Sequence, residues 1–143
     1  MAEVSRTEVF DVPIEKLYQT IIDYKSYPDF VDGVSSLSVL EQTEAGARVE
    51  YHLNIIKKFK YTLKLTHQKP THVSWIFESG DLFKKNNGQW KLKDLGDGKT
   101  EVTYGLEVEI KGFIPGAGTI VNNLTEKNLP AMMKAFLNRA KGH

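Results

Sequence analysis

The sequence predicts an α+β fold in which a seven-stranded antiparallel sheet packs on a long C-terminal helix. Apolar and charged residues alternate over most of residues 34–110, the period of strands that bury one face. Short connections separate these runs, so consecutive strands are expected to pair antiparallel. The last quarter of the chain changes to helical spacing, and one helix can cover one face of such a sheet.

Length and composition are those of one ordinary domain. At 143 residues the chain can bury most of the surface that it exposes when unfolded. Its 19 Lys and Arg nearly cancel its 18 Asp and Glu, which argues against a general binder of nucleic acid or anionic membranes. Without cysteine there is no disulfide framework, thiolate nucleophile or zinc–thiolate site. With no secretory pattern and no apolar run of about 18 residues, we expect a cytoplasmic protein.

The first elements are a strand over about residues 3–10 and two short helices. Asp11 is placed to cap the first helix, and Pro13 falls in its first turn. Pro28 separates this helix from a second one that ends near Gly33. The apolar face of the first helix is marked by Leu17, Tyr18, Ile21 and Ile22.

Six further strands are predicted from residue 34 to residue 110, with one apolar and one charged face. Turn-forming sequences divide them at residues 43–46, 56–57, 69–71, 79–81 and 95–99. The apolar face comprises Val49, Tyr51, Leu53, Ile55, Phe59, Tyr61, Leu63, Leu65, Val73, Trp75, Phe77, Trp90, Leu92, Val102, Tyr104, Leu106, Val108 and Ile110.

Residues 119–141 are predicted to form one long helix with two apolar stripes that face different ways. Pro130 lies between the stripes, and an interior proline removes a backbone hydrogen bond and kinks a helix. A kink would let each half turn its apolar face to the sheet. The stripes are Ile120, Val121 and Leu124, then Leu129, Met132, Met133, Phe136, Leu137 and Ala140.

This order of elements is a helix-grip arrangement, in which a curved sheet wraps around a long C-terminal helix and two short helices follow strand 1. Seven stretches carry a resemblance to known proteins: FDVPIEKLY (10–18), IID (21–23), YPDF (27–30), WIF (75–77), GQWKL (88–92), GKTEVTY (98–104) and FLNRA (136–140). Together they resemble START-like (SRPBCC) domains, the superfamily of polyketide cyclases/dehydrases, lipid-transport proteins and birch-pollen-allergen-like proteins. Within it the chain looks most similar to the coenzyme Q-binding branch.

The resemblance implies one START-like domain over residues 1–143, and it says less about function. The superfamily includes lipid carriers, hormone receptors, aromatases and proteins that act on other macromolecules. Some bacterial relatives that the sequence resembles act on the ribosome. Function therefore has to be argued from the residues of the site.

A ligand cavity is predicted between the sheet and the C-terminal helix, because one helix covers only a narrow stripe of a broad curved sheet. For any single inward residue, plain core is the alternative interpretation. The candidate lining residues are Tyr51, Leu53, Phe59, Tyr61, Leu63, Trp75, Phe77, Trp90, Tyr104, Leu106, Val108, Leu124, Thr125, Asn128, Met132, Met133 and Phe136.

Polar groups in this cavity would set ligand specificity. Tyr51, Tyr61 and Tyr104 share the inward register, and each can present a hydroxyl at the end of an apolar body. Thr125 and Asn128 lie beside the apolar stripe of the helix and could bond a ligand head group, although residues at a helix flank are usually solvated.

Sequence signatures of catalysis are weak. The inward register holds no clear Asp, Glu, Arg or Lys, and no Ser-His-Asp grouping, metal-spaced cluster or phosphate-cradling loop is visible. His67 continues an inward register, but its place beside a turn favours a turn histidine. We therefore expect no catalytic residue, metal or cofactor. The favoured function is transport or chaperoning of a hydrophobic small molecule or lipid, prenyl quinone-like or acyl/polyketide-like; a polyketide cyclase/aromatase-type enzyme is the alternative.

A glycine-rich loop precedes the long helix and could gate the cavity mouth, with a simple connector as the alternative. Its residues are Gly112, Phe113, Ile114, Pro115 and Gly116.

Lysines on two predicted strands suggest a second alternative, a ribosome- or protein-associated regulatory factor. They could form a basic surface for RNA, the ribosome or acidic lipid head groups in transient contact, whereas no specific DNA binding is expected. Glutamates on nearby strands would neutralise much of this surface. The lysines are Lys57, Lys58, Lys60 and Lys64, then Lys84, Lys85, Lys91 and Lys93.

Overall fold

The computed structural model describes residues 2–31, 33–54, 58–112, 115–122 and 129–142. In these residues it contains seven strands and four α-helices, with a 3-10 turn at Tyr24–Ser26. The strands are β1 Ala2–Phe10, β2 Val34–Gln42, β3 Gly46–Asn54, β4 Lys58–Gln68, β5 His72–Gly80, β6 Phe83–Gly96 and β7 Lys99–Ile110. The helices are α1 Ile14–Ile22, α2 Tyr27–Phe30, α3 Ala117–Asn122 and α4 Leu129–Lys141.

The strands form one antiparallel sheet in the order β1-β7-β6-β5-β4-β3-β2. β2 to β7 are neighbours in chain order, which confirms the predicted meander, and β1 adds to the far edge beside β7. The register places Tyr51 opposite Tyr61 and Trp90 opposite Tyr104. The helix-grip fold with its short helices after β1 is thus confirmed.

Alternation along the strands separates a buried face from a solvated one. On β3, Val49, Tyr51 and Leu53 are buried, while the residues between them are partly exposed. β7 repeats the pattern over its central residues, with Tyr104 and Leu106 buried. Each such aliphatic side chain contributes about 1.5–3 kcal/mol when it leaves water.

The start of α1 differs from the sequence-based expectation. Pro13 occupies the N-cap position, no side chain caps the helix, and the Leu17 amide donates to the Pro13 carbonyl at 3.2 Å. The predicted Asp11 cap is wrong, because the helix begins at Ile14 and a side chain at residue 11 precedes the cap position. The expected apolar face of α1 is confirmed at the buried residues Leu17, Tyr18 and Ile21.

α4 turns one stripe inward and packs against α1 and α2. Leu129, Met133, Phe136 and Ala140 are buried, which confirms the second predicted stripe. Pro130 lies in the first turn of the described segment, where a proline is tolerated. The predicted kink depends on residues 123–128, which lie outside the described residues, so it stays a prediction.

Candidate functional site

A cavity of about 400 Å³ lies between the buried face of the sheet, α2 and α4. This volume falls within the range of about 300–1,000 Å³ that is usual for ligand pockets. No charged side chain lines it among the residues that the structure describes. The lining is formed by Ile21, Tyr27, Phe30, Val31, Gly33, Val34, Tyr51, Leu53, Asn54, Tyr61, Leu63, Leu65, Val73, Trp75, Asn86, Trp90, Tyr104, Leu106, Leu129, Ala131, Met132, Ala135 and Phe136.

Most of the sequence-predicted lining residues that the structure describes come together at this cavity. They are Tyr51, Leu53, Tyr61, Leu63, Trp75, Trp90, Tyr104, Leu106, Met132 and Phe136. Phe59, Phe77, Val108 and Met133 lie outside the lining. Met133 and Val108 are instead almost fully buried in the core. Leu124, Thr125 and Asn128 fall outside the described residues. A ligand-binding role for the whole set remains a prediction.

Sequence reasoning missed the contribution of α2 and one polar residue on β6. Tyr27 and Phe30 reach the cavity from α2, and the Tyr27 hydroxyl donates to the Ile21 carbonyl. Asn86 is buried and lines the cavity in the same register as Trp90. That even register on β6 was a signal for Asn86, because residues two apart on a strand share a face.

Aromatic rings tie the sheet to the helices around the cavity. Tyr51 stacks on Tyr61 with ring centroids 5.5 Å apart. Trp90 packs edge-on against Tyr104 at 4.8 Å and contacts Phe136 of α4 at 4.9 Å. Such pairs add about 0.5–1.5 kcal/mol each beyond the area that they bury. Aromatic contacts therefore join the sheet to α4 around the apolar wall of the cavity.

A buried chain of hydrogen bonds crosses the cavity wall. The Trp75 indole Nε1–H donates to Oδ1 of Asn86 at 3.2 Å. Asn86 also hydrogen-bonds the Tyr61 hydroxyl. This bond lowers the pKa of Tyr61 and so opposes part of the rise that burial causes, which is the effect expected when an amide N–H donates to the tyrosine oxygen. Gly88 makes room for the indole, because a Cβ there would lie 2.4 Å from Trp75 Cζ2.

The cavity tyrosines are neutral hydrogen-bond donors. Burial raises the pKa values of Tyr51, Tyr61 and Tyr104 above the ordinary tyrosine value, so all three keep their protons at neutral pH. Within the described residues, the Tyr51 and Tyr104 hydroxyls have no hydrogen-bond partner. These two hydroxyls are thus open to a bound molecule.

His67 is buried on β4, away from the cavity lining. Its Nε2 lies 2.7 Å from the Tyr24 hydroxyl, and backbone groups of Thr43 and Glu44 also hydrogen-bond the ring. Burial lowers the pKa of His67 below the ordinary histidine value. The expectation of a turn histidine is wrong, because β4 continues through Gln68 and holds His67 on the inward face.

The predicted gate loop is described in part. Gly112, Pro115 and Gly116 lie outside the cavity lining, and both glycines have positive φ angles, 62° and 84°. Phe113 and Ile114 fall outside the described residues. The gate stays a prediction.

Ion pairs on the outer face of the sheet neutralise several of its cations. Lys85 pairs with Glu107, and Lys84 lies 3.6 Å from Glu109. Lys57 falls outside the described residues. In the described part of the chain, no three His, Asp or Glu side chains gather as metal ligands. No described helix is long and apolar enough to cross a membrane.

Known proteins resemble the chain over nearly its whole length. The model of the family described as polyketide cyclase/dehydrase and lipid transport matches residues 10–137. A ribosome association toxin, RatA, from Vibrio cholerae is 30% identical, over 99% of this chain and 96% of the relative.

Solved structures confirm the fold. The Zhui aromatase/cyclase from Streptomyces sp. R1128 has a TM-score of 0.84 at 16% identity, covering 98% of this chain and 93% of that one. A START superfamily protein from Mycobacterium smegmatis has a TM-score of 0.82 at 20% identity, covering 98% of this chain and 97% of that one. The likeness to the coenzyme Q-binding branch stays a prediction. The chain belongs to the START-like family of polyketide cyclases/dehydrases and lipid-transport proteins.

Proposed function

We propose that this protein binds a hydrophobic small molecule or lipid in the cavity between sheet and α4, and carries or chaperones it without chemistry. The observation that carries the proposal is the cavity itself. Its volume is about 400 Å³, and apolar and aromatic side chains form most of its wall. Binding an acyl-like, prenyl-like or polyketide-like chain there would replace water at an apolar surface.

The expected affinity follows from the apolar transfer free energy. Each buried CH₂ contributes about 0.8 kcal/mol, so a chain of about twelve carbons gains about 10 kcal/mol. Part of this gain offsets the entropy lost when the ligand is immobilised. A surplus of about 4–6 kcal/mol corresponds to dissociation constants from about millimolar to tens of micromolar.

The available side chains support binding better than acid–base chemistry. A general acid or base works best with a pKa near the operating pH. The described lining offers no carboxyl, histidine, lysine or arginine, and burial raises the pKa values of its tyrosines further from neutrality. His67 is committed to Tyr24 away from the cavity. The cyclase/aromatase alternative would gain support if turnover were found and then lost in a folded His67 variant.

Intrinsic fluorescence tests the proposal, because both tryptophans of the chain, Trp75 and Trp90, line the cavity. Titration with quinones, long-chain ketones and fatty-acid esters should change this fluorescence saturably. Ala135→Phe should weaken the binding, because Ala135 lines the cavity. The matched control is Asn138→Phe, an exposed position on the same helix. Fluorescence that no hydrophobic compound moves would contradict the proposal.

Association with the ribosome is a second candidate, favoured by the RatA relative and its name. Lys58, Lys60 and Lys64 are exposed on β4 and are the cations to test. Electrostatic binding to RNA weakens steeply with salt. Salt-sensitive co-sedimentation with ribosomes that disappears on reversal of these three charges would support this candidate. Co-sedimentation that Ala135→Phe abolishes and charge reversal spares would instead link it to the cavity.

A further inference from the structure

We infer that the ligand carries a neutral hydrogen-bond acceptor, such as a ketone or ester carbonyl, which the hydroxyls of Tyr51, Tyr61 and Tyr104 select over a carboxylate. The inference rests on the proposed binding function and specifies the polar end of the ligand.

The three tyrosines line the same cavity. Tyr51 and Tyr61 are register partners on β3 and β4, and their rings stack at 5.5 Å. Tyr104 lies on β7 opposite Trp90, with ring centroids 4.8 Å apart, and both residues line the cavity. A head group bound in this cavity therefore meets a wall to which β3, β4 and β7 each contribute a tyrosine.

The tyrosine hydroxyls of the cavity wall can donate hydrogen bonds to a ligand. Asn86 Oδ1 accepts from the Trp75 indole, so its amide N–H is the group available to the Tyr61 oxygen. The Tyr61 proton is then left to donate elsewhere, because a phenol donates one hydrogen bond. Tyr51 and Tyr104 have no partner in the described part of the chain. Both residues line the cavity, so a ligand acceptor there can take the hydrogen bonds that their hydroxyls donate.

The absence of cationic side chains from the described lining favours a neutral acceptor over a carboxylate. A carboxylate taken from water into this cavity would find no Lys, Arg or His among the described lining residues. An unpaired buried charge is strongly disfavoured, so such a ligand would have to bind in its protonated form. Arg139 lies outside the lining, with its guanidinium 5.4 Å from the Phe30 ring and 3.9 Å from an Asp29 oxygen.

Uncharged polar groups also differ in fit. An alcohol would bring a donor of its own that needs a further acceptor, whereas a carbonyl only accepts. A carbonyl oxygen has two lone pairs and can take hydrogen bonds from two hydroxyls at once. A neutral carbonyl therefore accepts hydrogen bonds from the tyrosine hydroxyls and leaves the fewest polar groups unpaired.

The test compares three probes of similar chain length: 2-dodecanone, dodecanoate and 1-dodecene. Each displaces the neutral dye Nile red from the purified full chain at about pH 8, where the free acid is ionised. We expect the ketone to bind at least about tenfold more tightly than the carboxylate. The double variant Tyr51→Phe, Tyr104→Phe should weaken binding of the ketone about tenfold and leave binding of the alkene unchanged.

Tyr18→Phe is the matched control, because Tyr18 is buried outside the cavity lining. Circular dichroism and thermal unfolding establish that each variant folds, and the two single variants replace the double variant if it does not. Carboxylate binding as tight as ketone binding, or ketone affinity that survives both substitutions, would overturn the inference while the binding function stands. Failure of all three probes, the alkene included, would overturn the proposed function as well.

Discussion

The Tyr24 hydroxyl lies 2.7 Å from Nε2 of His67, which joins the 3-10 turn after α1 to β4. Backbone groups of Thr43 and Glu44 bond the same ring. We assign Nε2 of the neutral ring as the acceptor of the Tyr24 proton, with the other ring nitrogen turned to the backbone. This buried pair makes the fold sensitive to acid.

Stability should fall as His67 becomes protonated. Burial lowers the pKa of His67 in the folded state, so the unfolded chain binds the proton more readily. The stabilisation is complete above the unfolded pKa of about 6.5 and is lost as pH falls from there through the folded pKa. Urea unfolding across this window should show the decline, and His67→Gln should flatten it. His52→Gln, at a partly exposed site beside Glu50, is the control. An unchanged slope in His67→Gln would contradict the assignment.

Gly88→Ala should destabilise the protein by about 1–3 kcal/mol through overpacking. An added Cβ would lie 2.4 Å from Trp75 Cζ2 and 2.5 Å from the Gly105 carbonyl oxygen, and the indole is too rigid to absorb this cheaply. Gly105→Ala is a matched control on β7, because its Cβ would meet nothing closer than 3.9 Å. Chemical denaturation compares the two variants. Equal stabilities would show that Trp75 does not need the space above Gly88.

Asn86→Leu should cost about 1–3 kcal/mol, since it leaves the Trp75 indole N–H without its buried acceptor. The free energy of unfolding in urea measures this. Combining the substitution with Trp75→Phe should recover part of the loss, because the orphaned donor is then gone. Fully additive effects of the two substitutions on the free energy of unfolding would mean that the hydrogen bond contributes no coupling energy between Asn86 and Trp75.

Phe136→Ala should destabilise the fold by about 3–5 kcal/mol and loosen the cavity wall. The Phe136 ring contacts Tyr27 at 5.3 Å, Phe30 at 5.0 Å and Trp90 at 4.9 Å, so one side chain links α4 to both α2 and the sheet. Lys134→Ala, an exposed site on the same helix, should change stability by less than about 0.5 kcal/mol. Thermal unfolding distinguishes them, and similar losses in both would refute the linking role.

The sheet and the α4 stripe were predictable because their signals are local. Buried and partly exposed residues alternate strictly along β3, and this period of two follows directly from one face of the strand meeting the core. The stripe that includes Met133 and Phe136 follows in the same way from the helical period.

The errors and omissions came from contacts between distant parts of the chain. His67 finds its partner 43 residues away at Tyr24, which no local pattern encodes. Tyr27 joins the cavity through Tyr51 and Phe136, each on a different element. The Asp11 cap failed for a nearer reason, since the exact start of a helix is weakly specified by capping residues.

Native mass spectrometry of the protein purified from its own host tests the central claim most directly. The binding account predicts an added hydrophobic mass that organic extraction removes, and that is reduced in Ala135→Phe but kept in Asn138→Phe. Protein that carries no such mass in any preparation, and takes none up from quinones, ketones or esters, would contradict the claim that the cavity between the sheet and α4 is a ligand site.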